Sequence, residues 1–184
     1  MRRAASGDCA VVDVQSSQFS TAGEVRSVIN LALVPAPWQD WLRTLHPERG
    51  PGGPSARQGL WRRRLNAGSG PADPSGWWVI GDEESAGRAV ADMVEQLLSP
   101  VGLARLLPLL DRSTLLDLLR GIHPAFGSAE IGHADRALAV LLADEGPSEE
   151  LDQVLERMAG RSSEVTAVDD AALGDWVRRR SRAR

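Results

Sequence analysis

The sequence has no lysine and no tyrosine, and its one cysteine is Cys9. Without lysine there is no lysine Schiff base and no P-loop, whose lysine reaches the phosphates. A single cysteine permits neither an intrachain disulfide nor a cysteine-rich zinc site, and it favours a reducing, cytoplasmic setting. Imidazoles are scarce too. His46, His123 and His133 are not spaced as H-x-x-x-H or H-E-x-x-H, so a metal site would need the fold to gather them with Asp13 or Asp82. No residue pattern calls for a cofactor. Met1 to Ala10 has two arginines but no apolar centre of the signal-peptide kind, and no apolar run is long enough to span a bilayer.

What is present is arginine, which supplies all 21 basic residues. With abundant Ala, Gly, Pro and Asp this is the coding bias of a GC-rich, actinobacterial-type genome rather than a chemical choice. The formal net charge of −4 argues against a dedicated nucleic-acid binder, which shows a basic balance or a dense basic face. At 184 residues, 42% of them hydrophobic, the chain can bury one core and is not disordered as a whole.

The stretch from Cys9 to Val34 reads as a β-hairpin, with β-rich runs at Cys9 to Gln15 and Val25 to Val34 around Thr21, Ala22 and Gly23. In the second run Val25, Ile29, Leu31 and Leu33 share one parity and Arg26, Val28, Asn30 and Ala32 the other. One face is thus the more apolar, and it needs a helical layer to cover it. Pro35 and Pro37 stop the pairing. Trp38, Trp41, Leu42 and Leu45 then predict a short helix ending at His46 and Pro47. Glu48 to Arg57 reads as a Gly/Pro loop that contributes no core. LWRRRL, residues 60 to 65, predicts an edge strand, and Trp77 to Ile80 a strand joined to it by the loop 67 to 76.

From Asp82 the period lengthens to a helical one. Ala86, Ala89, Val90, Met93, Val94, Leu97 and Leu98 trace one stripe, which predicts a helix across the sheet with Asp82, Glu83 and Glu84 at its positive end. Ser99 and Pro100 read as a new helix start. That helix is interrupted at Pro108 and resumes from Asp111 to Arg120, burying Leu115, Leu116, Leu118 and Leu119. Helices at Ser128 to Asp144, Ser148 to Ala159 and Asp169 to Arg184 follow, the last ending in RRRSRAR. The chain thus predicts an α+β fold, a small antiparallel sheet of about four strands covered by helices, in residues 1–121. Residues 122–184 form a helical C-terminal extension packed on it or appended to it.

VVDVQSSQFS at 11 to 20, INLALVP at 29 to 35, the tryptophan strand at 77 to 80 and the run to Leu110 and Asp111 resemble a bacterial family known only as domain of unknown function 4304. The resemblance covers residues 9 to 111. It implies an α+β fold and carries no activity. Similar proteins place an N-terminal helix and a first strand ahead of the VVDVQ-like strand. Eight residues precede Cys9 here, so the resemblance implies either an earlier start or uncovered apolar surface.

Among chemical candidates, Cys9 has no cysteine-enzyme signature around it and reads as a buried structural residue. Asp13, Gln15 and Asn30 line a polar pocket if they share a face with Arg62 or Arg64; the plain alternative is a solvated sheet face. Trp61, Arg62, Arg63 and Arg64, with Trp77 and Trp78 on a neighbouring strand, form the most suggestive binding cluster. Aromatic stacking surface beside guanidinium groups suits an acidic protein or single-stranded nucleic acid, and equally suits tryptophans packed under arginine stems. The reading is a non-catalytic module that binds another protein. The alternative is a nucleic-acid-associated protein using LWRRRL and the arginine tail, and the third is a hydrolase-like enzyme built on Cys9 or a histidine.

Overall fold

The computed structural model describes residues 2–3, 6–47, 53–67, 76–121, 134–161 and 167–184. Everything is laid around the long strand β3 (Val25–Val34). β2 (Cys9–Ser16) pairs with it antiparallel from Cys9 opposite Val34 to Ser16 opposite Ser27. The other edge of β3 is shared: β4 (Trp61–Leu65) takes Ile29 to Leu33, and β5 (Trp78–Ile80) takes Val25 to Ser27. The two-residue β1 (Arg2–Arg3) touches the start of β2. The expected four antiparallel strands are β2 to β5, and β1 is an addition.

The expectation of one greasy face on β3 is corrected: apart from its first two residues and Asn30, the strand is buried on both sides. Ile29, Leu31 and Leu33 enter the main core with Trp61, Leu65 and Trp78. On the reverse side Cys9, Val11, Ala32 and Val34 form a second cluster with Ala56. Ala56 belongs to a single 3-10 turn, Ala56–Gln58, inside the stretch expected to contribute no core. Gly59 makes this cover possible, since a Cβ there would lie 2.6 Å from that of Ala32.

The helical layer begins with α1 (Ala36–Leu45), whose Trp41 is buried, and continues with α2 (Glu83–Leu98). Asp82 caps α2 by accepting the Ser85 amide hydrogen at 2.7 Å, and the Ser85 hydroxyl and amide together hold the Asp82 carboxyl below the usual range. Only half of the predicted stripe is covered. Ala89 is buried and Met93 and Leu97 partly so, while Val90, Val94 and Leu98 are exposed. The buried arc instead includes Asp92, which accepts the Trp78 indole N–H at 2.7 Å. Ser99 ends α2 rather than starting a helix. The chain turns at Gly102, packed so closely that a Cβ would meet the Leu97 carbonyl at 2.1 Å, and short α3 (Leu103–Leu106) follows. The apolar stretch Glu83–Leu110, long enough by composition to cross a membrane, is thus divided by this turn.

A 3-10 turn at Leu107–Leu110 leads to α4 (Arg112–Leu119), which buries the four leucines expected of it. The N-terminal part of the helix predicted from Ser128, with His123 and His133, lies outside the described residues. Its remainder is α5 (Ala134–Ala143), where every residue from Ala137 to Ala143 is buried. A helix apolar all round must be surrounded, and α5 packs against α1, α4, α6 (Glu149–Arg161) and α7 (Ala167–Arg182). One core cluster therefore runs from Leu31 in the sheet to Leu173 and Val177 in α7. Each fully buried leucine in it contributes about 1.5–3 kcal/mol of transfer free energy.

Charge ties these layers together. Asp8 is 1% exposed. It accepts the Ala36 amide hydrogen at the start of α1 at 2.8 Å, and the Arg112 guanidinium reaches both its oxygens at 2.8 and 2.9 Å. Asp144, after α5, accepts from Arg180 at 2.8 Å and from Arg184, and Arg180 also reaches Asp40 of α1 at 3.1 Å. Burial alone would push the Asp144 carboxyl up; the hydrogen bonds from Arg184 and Arg180 outweigh it and hold the group below the usual carboxylate range.

Two measurements check this frame. Asp8→Asn leaves Arg112 facing a neutral partner and is expected to lower unfolding free energy by about 3–5 kcal/mol in urea titrations. Asp144→Asn is expected to cost about 1.5–3 kcal/mol at pH 7. Because the folded carboxyl titrates below its unfolded value of about 3.9, its contribution is complete above that pH. The gap between wild type and Asp144→Asn should therefore narrow as pH falls below about 4.

Candidate functional site

Alternation along β4 sends its residues to opposite faces of the sheet. Trp61 and Leu65 face the helices and are buried, with Arg63 between them opposite Leu31. Arg62 and Arg64 stand on the reverse face, opposite Ala32 and Asn30. Across β3, Asn30 is opposite Asp13 of β2, so Asp13, Asn30 and Arg64 form one cross-strand row. The Asn30 side-chain amide donates to Gln15 Oε1 at 3.0 Å. The polar group suggested by Asp13, Gln15 and Asn30 thus does share a face with Arg62 and Arg64. Beside it, the Arg64 guanidinium lies 4.4 Å from the centroid of the Trp77 ring, a distance at which the ring's negative face attracts the cation.

The six cluster residues are therefore split. Arg62 and Arg64 are exposed on the reverse face, and Trp77, just before β5, is half-buried and packs against the main core with Arg64 over its ring. Trp61, at 0% exposure, and Trp78, at 3%, are core residues. A bulky ring on the helix side of a sheet is captured by the layer above it, and the buried Trp78 indole N–H finds its acceptor in Asp92. Among the described residues no carboxylate pairs with Arg62 or Arg64.

The remaining candidates are dispersed. Cys9 is buried in the Ala56 cluster, its thiol donating to the Gly7 carbonyl at 3.4 Å. His46 follows α1 and is partly exposed. Among the described residues no three His, Cys, Asp or Glu side chains gather as a metal site. The arginine tail is a helix end held in part by ion pairs, with Arg179 and Arg182 exposed. Arg180 and Arg184 are held by Asp144, Arg178 lies 3.6 Å from Asp175, and the Arg180 guanidinium sits 5.1 Å from the Trp176 ring centroid.

A protein-family model described as Domain of unknown function (DUF4304) matches residues 1–112, more than half of the chain. The chain belongs to that family. No match was found among curated proteins or among solved structures. The DUF4304 match contains the whole sheet, the open polar face and α2, and it ends at Arg112, the partner of Asp8. Helices α5 to α7 lie beyond it.

Two structural carboxylates escaped the sequence reading. Asp8 and Arg112 are 104 residues apart, and no local pattern links them. Asp92 left a signal, an acid inside the apolar arc of α2 in a chain rich in tryptophan N–H donors. If Arg64 is anchored by the Trp77 ring, a double-mutant cycle of Arg64→Ala and Trp77→Ala should give a coupling of about 0.5–1 kcal/mol in thermal unfolding.

Proposed function

We propose that this chain is a non-catalytic interaction module whose open sheet face docks an acidic segment of another protein. The observation that carries the reading is the pair Arg62 and Arg64, two residues apart on one exposed face, with no carboxylate pairing with either among the described residues and Arg64 stacked on Trp77. Many other arginines are used internally: Arg112, Arg120, Arg136, Arg157, Arg161, Arg180 and Arg184 each reach a carboxylate. Arg57, Arg179 and Arg182 are exposed without one among the described residues, but no two of them share a strand face beside an aromatic ring. Guanidinium groups aligned along a strand suit carboxylates spaced two residues apart on an extended partner. Trp77 supplies the aromatic anchor and Asn30 with Gln15 the polar rim, a usual composition for the centre of an interface.

The acidic net charge and the internal use of Arg180 and Arg184 weigh toward a protein rather than a nucleic acid. We place this activity in the cytoplasm, in keeping with the lone buried thiol of Cys9. The test is capture of partners from native lysate by wild type and by the Arg62→Gln, Arg64→Gln, Trp77→Ala variant, at low and moderate salt, with and without nuclease. A nuclease-resistant protein partner should lose at least about 30-fold in affinity in the variant, as expected for hot-spot residues. Equal recovery by both proteins would refute the docking face, and nuclease-sensitive recovery would replace it with nucleic-acid binding.

A further inference from the structure

We propose that the outer edge of β2 is a self-association surface, which pairs antiparallel with β2 of a second copy about a two-fold axis at Val14. β1 occupies this edge only at Cys9 and Ala10. Beyond that, among the described residues, no strand lies along Val11 to Ser16 on the side away from β3. Antiparallel strands turn the amide and carbonyl of successive residues alternately to their two neighbours. The Ser17 amide donates to the Arg26 carbonyl, across to β3, at 2.8 Å. Odd-numbered residues of this strand therefore turn to β3, and Val12, Val14 and Ser16 turn their main-chain groups outward.

Monomeric proteins blunt such an edge with charge, proline, a bulge or brevity. Here the helix-side face of the edge instead presents Val12 and Val14, 36% and 60% exposed. A second copy is the occupant that the pattern fits. A two-fold axis at Val14 sets Val14 against its own counterpart and Val12 against Ser16 of the second copy, each pair exchanging two main-chain hydrogen bonds. The same register sets Asp13, the only charge within β2, against Gln15 of the second copy, so no like charges meet. The valines of both copies then form one continuous apolar strip. β1 blocks the edge at Ala10, which limits the pairing to Val12 through Ser16, and the isologous contact closes after two copies. On the Arg62 and Arg64 face the pairing touches only Asp13 and Gln15 at the outer edge and leaves Arg62, Arg64 and Trp77 uncontacted, so the two readings are tested by different variants.

Sedimentation over a concentration series should show a monomer–dimer equilibrium for wild type. Val14→Arg places two guanidinium groups at the two-fold axis and is expected to weaken the dimer at least about 100-fold, with an unchanged circular dichroism melt because Val14 is exposed. Val14→Cys should form a disulfide-linked dimer on oxidation, since directly opposed residues of this type lie about 5.5 Å apart at Cα, within disulfide reach. Ser113→Cys, exposed on α4, should not. A wild type that stays monomeric at its highest soluble concentration overturns the proposal. So does a dimer that survives Val14→Arg, or equal cross-linking through Ser113→Cys.

Discussion

A carboxylate sealed from water constrains the rest of this molecule. Asp8 stands one residue before β2, is almost wholly buried, and holds both the first amide of α1 and the guanidinium of Arg112. A buried charge is tolerable only when its lone pairs are met by donors in fixed positions. The start of the sheet, the start of α1 and the start of α4 must therefore converge on one point. Arg112 lies 3.8 Å from Asp144, which binds Arg180, which binds Asp40 on α1. Through this relay the carboxylate at the N-terminal end positions the last helix, and the family-matched part of the chain is coupled to the helices beyond it.

The same economy divides the arginines into two populations. Many of those on helices meet carboxylates, on a neighbouring helix as with Arg136 on Asp170 and Arg120 on Glu150, or one turn away as with Arg43 on Asp40 and Arg88 on Glu84. Burying an apolar helix such as α5 places polar flanks in contact, and arginine with acid is how those flanks close. Arg62 and Arg64 escape because the alternation of β4 carries them to the side of the sheet that the helices do not cover. Their exposure is thus a consequence of strand parity. Strand parity also turns Trp61 inward, while Trp77, just before β5, lies beside Arg64.

Much of the architecture was legible. The hairpin, the helix opened by Asp82 and the leucines of α4 each depend on local periodicity or capping, which neighbouring residues encode. The failures share a cause. Ala56 reads as loop because nothing local says that it will seal the reverse face of β3. Val90, Val94 and Leu98 read as part of a packed stripe because periodicity shows which residues lie on one side of a helix, not what covers that side. The six residues of the candidate cluster lie in two separate stretches, 61–64 and 77–78, and their division between faces is not legible there.

By itself, the sequence determined what short-range chemistry determines: where strands and helices begin, that the chain is α+β, that lysine chemistry and disulfides are excluded. The tertiary structure decided which side of each strand meets the helices, which carboxylate meets which arginine, and which arginines remain exposed. These are long-range pairings such as Asp8 with Arg112 or Asp13 with Asn30 and Arg64. They depend on register and on packing across the sheet, and the packing competition that fixes them is settled only when the whole core closes.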